Sequence, residues 1–277
     1  MATANRNYKD GVFVDYLRDP QRAIEVYNAI AGKNYPQTAN IEFRTLENVL
    51  NRTYNNDLAF IIEGRAVVMI EHQSSINENM ALRMLIYIGE VYKWHVSQRD
   101  LYRRSARPIP TPEFFVIYNG RENYPDKKVI RLSDAFILKN NEPQLELTVP
   151  VYNIAKGHNS ELLKHSKSLA DYSMLISLVN DELAKGISLD IAIDKVIKYC
   201  IGNGIMTEYL ENNGEVRRML SMQWDEDLFI EVTKEEGREE GIAEARLEVA
   251  RNLKVAGIEK VLVLKTTGIS EEEYDAL

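Results

Sequence analysis

Two apolar runs, Leu58-Ala-Phe-Ile-Ile62 and Ala66-Val-Val-Met-Ile70, lie on either side of Glu63-Gly64-Arg65. Each is short, apolar throughout and bounded by polar or turn residues, the pattern of a strand buried on both faces. A hairpin of two such strands cannot stand alone. It needs helices above and below it, so this one feature demands a layered fold of helices on a sheet. The same hairpin carries acids at its open end. Asp57 opens the first run, and Glu71-His72-Gln73 closes the second.

Strand side chains alternate between faces, so Glu71 and Gln73 share a face with Val67 and Met69, while His72 points away with Ala66, Val68 and Ile70. Whether Asp57 joins Glu71 depends on the turn. A two-residue loop, Gly64-Arg65, sets residue 57 opposite His72. A three-residue loop, Glu63-Gly64-Arg65, sets it opposite Glu71. Directly opposed residues have Cβ atoms about 4.5–5.5 Å apart. Two carboxylates that close repel unless one is protonated or a cation lies between them. Mg²⁺ takes one or two carboxylates and completes its shell with water and phosphate oxygens. The expectation is therefore a three-residue loop or bulge at Gly64, with a divalent metal between Asp57 and Glu71. The residues alone leave a blander reading open, in which Glu71 and Gln73 mark where a strand meets water and Asp57 ends a turn after Asn55-Asn56.

Around the hairpin the signals alternate. Asp10 to Tyr16 begins an amphipathic stretch, and Asp19-Pro20 reads as an N-cap and first helical residue for a helix running to Gly32. A short third helix is expected over Leu46 to Leu50. Met80, Met84, Tyr87, Ile88 and Val91 form a helical stripe ending near His95. Phe114 to Tyr118 reads as a buried strand ended by Asn119-Gly120, with a weaker strand at Val129 to Leu132. Leu145 to Ile154 is extended, and Pro150 suggests an edge or a bend. Helices are expected over Ser160 to about Asn180, then 188–202, 205–221 and 224–256, with Ser270-Glu-Glu-Glu273 as a capping box. This divides the chain into a core over 1–155, a helical extension over 156–232 and a charged helical tail over 233–277.

Composition narrows the classes. No segment approaches the roughly 18 apolar residues of a membrane helix. No secretory signal is visible, and the single cysteine, Cys200, excludes an internal disulfide, which together point to a cytoplasmic protein. The net charge of −8 argues against general nucleic-acid coating but leaves room for a local basic surface. Lys93, Arg99, Arg103, Arg104 and Arg107 form one, interrupted only by Asp100, with Tyr102 available for stacking. A solvated helix end is the commoner meaning of such a run. In the tail, Ile242, Ala245, Val249, Leu253 and Ala256 make a narrow apolar line, a candidate for homo-oligomer formation or for packing on the helical part.

Asp57 followed by Glu71-His72-Gln73 resembles the PD-(D/E)XK nuclease core. More widely, the chain resembles the recombination-promoting nuclease (Rpn) family, also called PD-(D/E)XK family transposases. Asn56-Asp57, Ile70-Glu-His-Gln-Ser-Ser75, Asn77 to Arg83 with Tyr87, and Phe115 to Gly120 carry the resemblance. Leu132 to Phe136, Val151 to Ile154 and Asn159 to Leu163 extend it. It implies an α/β (α+β) restriction-endonuclease-like core with a central mixed sheet flanked by helices, followed by a helical C-terminal region. It also implies hydrolysis of DNA phosphodiesters with Mg²⁺ or Mn²⁺. Asp57 and Glu71 would be the metal ligands, with the His72 backbone carbonyl as a further donor. Gln73 would be the third catalytic residue, where the signature usually has lysine, and it can hold a water or a phosphate oxygen but cannot titrate. An additional acid is expected from the first helix, at Asp10 in preference to Glu47. Arg83 and Tyr87, one turn apart on the following helix, either support that helix in solvent or bring Arg83 to a phosphate near Gln73. The alternative from another class is a catalytically inactive relative that binds DNA or protein. A third is a helical interaction protein working through its acidic tail.

Overall fold

The computed structural model describes residues 11–44, 57–212 and 214–277. Asp10, Glu47 and the helix expected over Leu46 to Leu50 lie outside the described residues. The chain divides into two units, residues 1–223 and 224–277.

The first unit is built on a six-stranded mixed sheet of order β1-β2-β3-β4-β6-β5. Its strands are β1 (Ile41–Arg44), β2 (Asp57–Ile62), β3 (Ala66–Gln73), β4 (Thr111–Tyr118), β5 (Lys127–Arg131) and β6 (Thr148–Asn153). β2 and β3 form the expected hairpin, and the three-residue loop is present. Glu63 and Gly64 both take left-handed φ values, 50° and 63°, and Arg65 N donates to Ile62 O at 2.9 Å. Arg65 is the extra residue that shifts the first pair to Ile62↔Ala66, and every later pair follows. Arg65 O then accepts from Thr111 N at 2.8 Å, so the same residue anchors the start of β4.

β3 and β4 run parallel, as do β4 and β6, which requires crossovers and two covered faces. One face packs beneath α3 (Met80–His95), where Val67, Met69, Val116 and Tyr118 meet Met80, Met84, Tyr87, Ile88 and Val91 in one buried cluster. On the other face the helices α1 (Val12–Leu17), α2 (Pro20–Ala31) and α6 (Lys167–Leu183) bring Phe13, Tyr27 and Tyr172 against His72, Phe60 and Phe115. α2 begins as expected, with the Asp19 carboxylate accepting from Gln21 N and Arg22 N ahead of Pro20.

Four differences from the sequence reading have plain causes. β1 alternates over only four residues, too few to register as a pattern, yet it pairs with β2 from Ile41↔Ile62 to Arg44↔Ala59. β6 is an interior strand rather than an edge. Pro150 is tolerated because pairing with β4 starts only at Val151, so its missing N–H breaks no bond there. The helix expected from Ser160 is two, α5 (Ser160–His165) and α6, divided at Ser166. The Ser166 hydroxyl accepts from Leu169 N, and the Glu25 carboxylate from α2 accepts from Ser166 Oγ, Ser168 N and Ser168 Oγ, fixing the break. After α7 (Leu189–Gly202), the stretch read as 205–221 contains α8 (Thr207–Asn212) and the start of α9 (Val216–Val255), which runs on through Gly237 and Gly241.

The second unit has its own small core. Ala250, Val263 and Ile269 are buried together, with Leu247 and Leu253 packed against them from α9. α10 (Lys260–Thr267) and α11 (Glu271–Ala276) complete it, the latter opened by the expected Ser270/Glu273 capping box. Ile242 and Val249 of the narrow apolar line are exposed instead. No helix among the described residues is long and apolar enough to cross a membrane.

His72 lies on the face away from Glu71, buried between Phe13 and Tyr172, with its Nε2 3.2 Å from the Tyr172 hydroxyl. Burial pushes its pKa down to about 3. The native imidazole therefore stays neutral while the unfolded one protonates near pH 6.5. This contribution is intact above that pH and is lost progressively as pH falls toward 3. Urea unfolding should show about 2 kcal/mol less stability at pH 5 than at pH 8 from this group. His72→Phe, which keeps a ring against Phe13, should remove that part of the slope. An unchanged slope would mean that His72 protonates in the folded protein.

Candidate functional site

The hairpin register makes Asp57 the partner of Glu71, as expected from the three-residue loop. Glu71 is 2% exposed and sits near the carboxyl end of β3, on the face covered by α3. An acid that deep must be compensated. Its cation comes from α3: Arg83 Nη1 lies 2.7 Å from Glu71 Oε1. Arg83 Nε and Nη2 both donate to the Tyr87 hydroxyl, at 3.2 and 2.9 Å, so one turn of helix fixes the guanidinium. Gln73 Nε2 reaches the same Glu71 oxygen at 3.4 Å and the Met80 sulfur at 2.8 Å. Met80, a residue the sequence reading assigned only to packing, thus lies against both Gln73 and Arg83.

Of the two readings of Arg83 and Tyr87, the solvent-facing pair does not hold. Tyr87 is buried in the core, and the Arg83 side chain is 27% exposed, open on one side and bound to Glu71 on the other. The spacing of Arg83 and Tyr87 was visible in the sequence; that β3 presents Glu71 to them is a long-range contact that no local pattern encodes.

The basic cluster sits elsewhere. Lys93 lies ten residues along α3 from Arg83, roughly 15 Å at helical rise. Lys93 pairs with Glu90, and Arg103 pairs with Asp100 beside the short helix α4 (Gln98–Leu101). Arg99 and Arg104 are exposed, as is Tyr102 at 88%. This end of α3 is tied to the start of β4 by the Tyr92 hydroxyl donating to Pro110 O, away from the end of the sheet that carries Glu71.

At the site's other border, β4 exits through Asn119-Gly120. Asn119 N donates to Gln73 O at 2.9 Å. A Cβ on Gly120 would lie 1.9 Å from Ser74 O and 2.5 Å from the Tyr118 hydroxyl, so only glycine lets the two chains pass. Beyond it lies a cavity of about 300 Å³ lined by Asn119, Arg121, Lys156, His158 and Asn180, along the carboxyl ends of β4 and β6.

This arrangement of sheet, hairpin and acids can be compared with known proteins. A family model described as "Putative transposase, YhgA-like" matches residues 9–189. The chain belongs to this family. It is also similar to the inactive recombination-promoting nuclease-like protein RpnE of Escherichia coli (strain K12), with 22% identity over 293 aligned residues and 95% of each chain covered. No solved structure matches. The six-stranded mixed sheet with helices on both faces and a helical C-terminal part is the architecture expected of a PD-(D/E)XK-like member of this group.

The donor set can be weighed against a divalent metal. Among the described residues, no three His, Cys, Asp or Glu side chains cluster as a ready-made ligand cage. Mg²⁺ and Mn²⁺ do not need one here. Two carboxylates on opposed strand positions, with water and a phosphate oxygen filling the rest of the shell, suit a hard cation. Asp57 and Glu71 in register fit that description.

Proposed function

We propose that the protein is a metal-dependent DNA endonuclease whose centre is the Asp57/Glu71 pair. The observation that carries this reading is the register of the β2–β3 hairpin, which sets Asp57 across from a buried Glu71 where a strand could have carried apolar residues. Cross-strand partners share a face of the sheet, so both acids serve one cation. A bound Mg²⁺ or Mn²⁺ supplies Lewis-acid polarisation of the phosphodiester and lowers the pKa of an attacking water. Asp57 and Glu71 hold the cation. Gln73, tethered by Glu71 and Met80, orients the water or a phosphate oxygen by hydrogen bonds and moves no proton itself. Lys93, Arg99, Arg103 and Arg104 would grip flanking phosphates, with Tyr102 against an unpaired base.

A second reading has one specific support. The similar RpnE protein is named inactive, and Gln73 stands where the nuclease signature has lysine. On that reading the chain binds DNA or protein without cutting. Supercoiled plasmid separates the two. The first reading expects nicked and linear product with Mg²⁺ or Mn²⁺ and none with EDTA. Retention of plasmid in a gel-shift assay, with no product in either metal, would favour the second.

A further inference from the structure

The Arg83–Glu71 pair has a consequence beyond support of the helix. We infer that Arg83 is the resident counter-ion of the metal-free site, that a divalent cation exchanges for it on Glu71, and that the released guanidinium takes a phosphate oxygen of the bound strand. This rests on the metal-site reading of Asp57 and Glu71 and adds how that site is regulated.

Three observations support it. First, Arg83 binds the very oxygen, Glu71 Oε1, that also faces Gln73, in a place where water is largely excluded. A guanidinium and a divalent cation on one buried carboxylate repel strongly at low dielectric, so they compete rather than share it. Second, Arg83 has somewhere to go. The side chain already reaches solvent, and the planar guanidinium can leave Glu71 as a unit once its Nε and Nη2 bonds to the Tyr87 hydroxyl loosen. Third, the charges close only with substrate. Two carboxylates, one guanidinium and one divalent cation leave an excess positive charge, and one phosphodiester cancels it. Arginine matches phosphate geometry with paired donors, and Gln73 brings no charge that could do so.

Metal and DNA are therefore coupled through Arg83 as well as through the phosphate oxygen the metal itself takes: each should tighten the other, and the coupling should weaken without the guanidinium. The test is Mn²⁺ titrated calorimetrically into the full-length wild type, Arg83→Met and Glu71→Gln, without and then with a duplex oligonucleotide. Arg83→Met should bind Mn²⁺ about tenfold more tightly than wild type, the scale of one lost charge-assisted competitor. Mn²⁺ should tighten oligonucleotide binding by the wild type more than that by Arg83→Met, in which only coordination of the phosphate by the metal remains. A merely structural Arg83 gives the opposite sign: Mn²⁺ bound equally or more weakly by Arg83→Met, while Glu71→Gln still abolishes it, overturns the exchange and spares the metal site. Mn²⁺ binding unaffected by Glu71→Gln, or absent from wild type and Arg83→Met alike, overturns both. If Arg83→Met does not fold, Tyr87→Phe reports the same exchange, because it removes the hydroxyl that holds the guanidinium in place. Its Mn²⁺ affinity should rise roughly threefold, and an unchanged or lower affinity overturns the exchange.

Discussion

Glu71→Ala should reduce plasmid nicking by about 10³-fold or more, as expected when one member of a catalytic unit is removed. Its stability should change far less. The truncated carboxylate leaves a small void on the α3 face, and the Arg83 guanidinium, still bound to Tyr87 and open to solvent on one side, keeps a partner. Removing the arginine instead would leave the acid buried without its cation, a change that costs about 3–5 kcal/mol in comparable pairs. This asymmetry separates function from folding. Thermal melting alongside the nicking assay should find Glu71→Ala inactive but close to wild type in Tm. A variant that retains nicking would place the chemistry elsewhere. A variant that loses activity and structure together would make Glu71 a structural acid.

The second large effect is expected at Gly120. The α-hydrogen that a Cβ would replace faces Ser74 O, a backbone atom that cannot rotate aside, and the Tyr118 hydroxyl, which is held by Glu122 N and Glu122 O. Gly120→Ala must therefore move the end of β3 or β4. The cost should be about 3 kcal/mol, toward the upper end for overpacking, which is a Tm drop of roughly 6–12 °C for a domain of this size. Ser74 directly follows Gln73, and Asn119 N is bonded to Gln73 O, so the displacement reaches the site. At a temperature where the variant remains folded, nicking should still fall by about 10²-fold, the usual cost of misplacing a positioning group by an ångström. Gly89→Ala, at an α3 position of ordinary φ where a Cβ meets nothing within 4 Å, supplies the control for adding a methyl group elsewhere.

How much of this was legible in the sequence follows from the range of each interaction. The hairpin was readable because parity is local: two apolar runs and a three-residue gap determine which side chains share a face, and the Asp57↔Glu71 pair follows. The caps at Asp19 and Ser270 were readable for the same reason. The break at Ser166 was missed although Ser-Lys-Ser offers an N-cap, because the deciding partner, Glu25, lies about 140 residues earlier. Arg83 was singled out, but its partner was not, since only the crossover from β3 into α3 brings Glu71 beneath it. The apolar line of the tail was right at Leu253 and wrong at Ile242, Ala245, Val249 and Ala256, which are exposed. Ala250, flanked by Leu247 and Leu253, is the buried residue, and α10 and α11 decide that choice rather than the spacing within α9.

The central claim is that Asp57 and Glu71 act as one site. The most direct measurement is a double-mutant cycle on Mn²⁺-dependent plasmid nicking, with Asp57→Asn, Glu71→Gln and the pair combined. Residues that act as a unit are non-additive, so each single variant should lose nearly as much activity as the double. Nicking by the single variants at the wild-type rate, or losses that simply multiply in the double, would contradict the account.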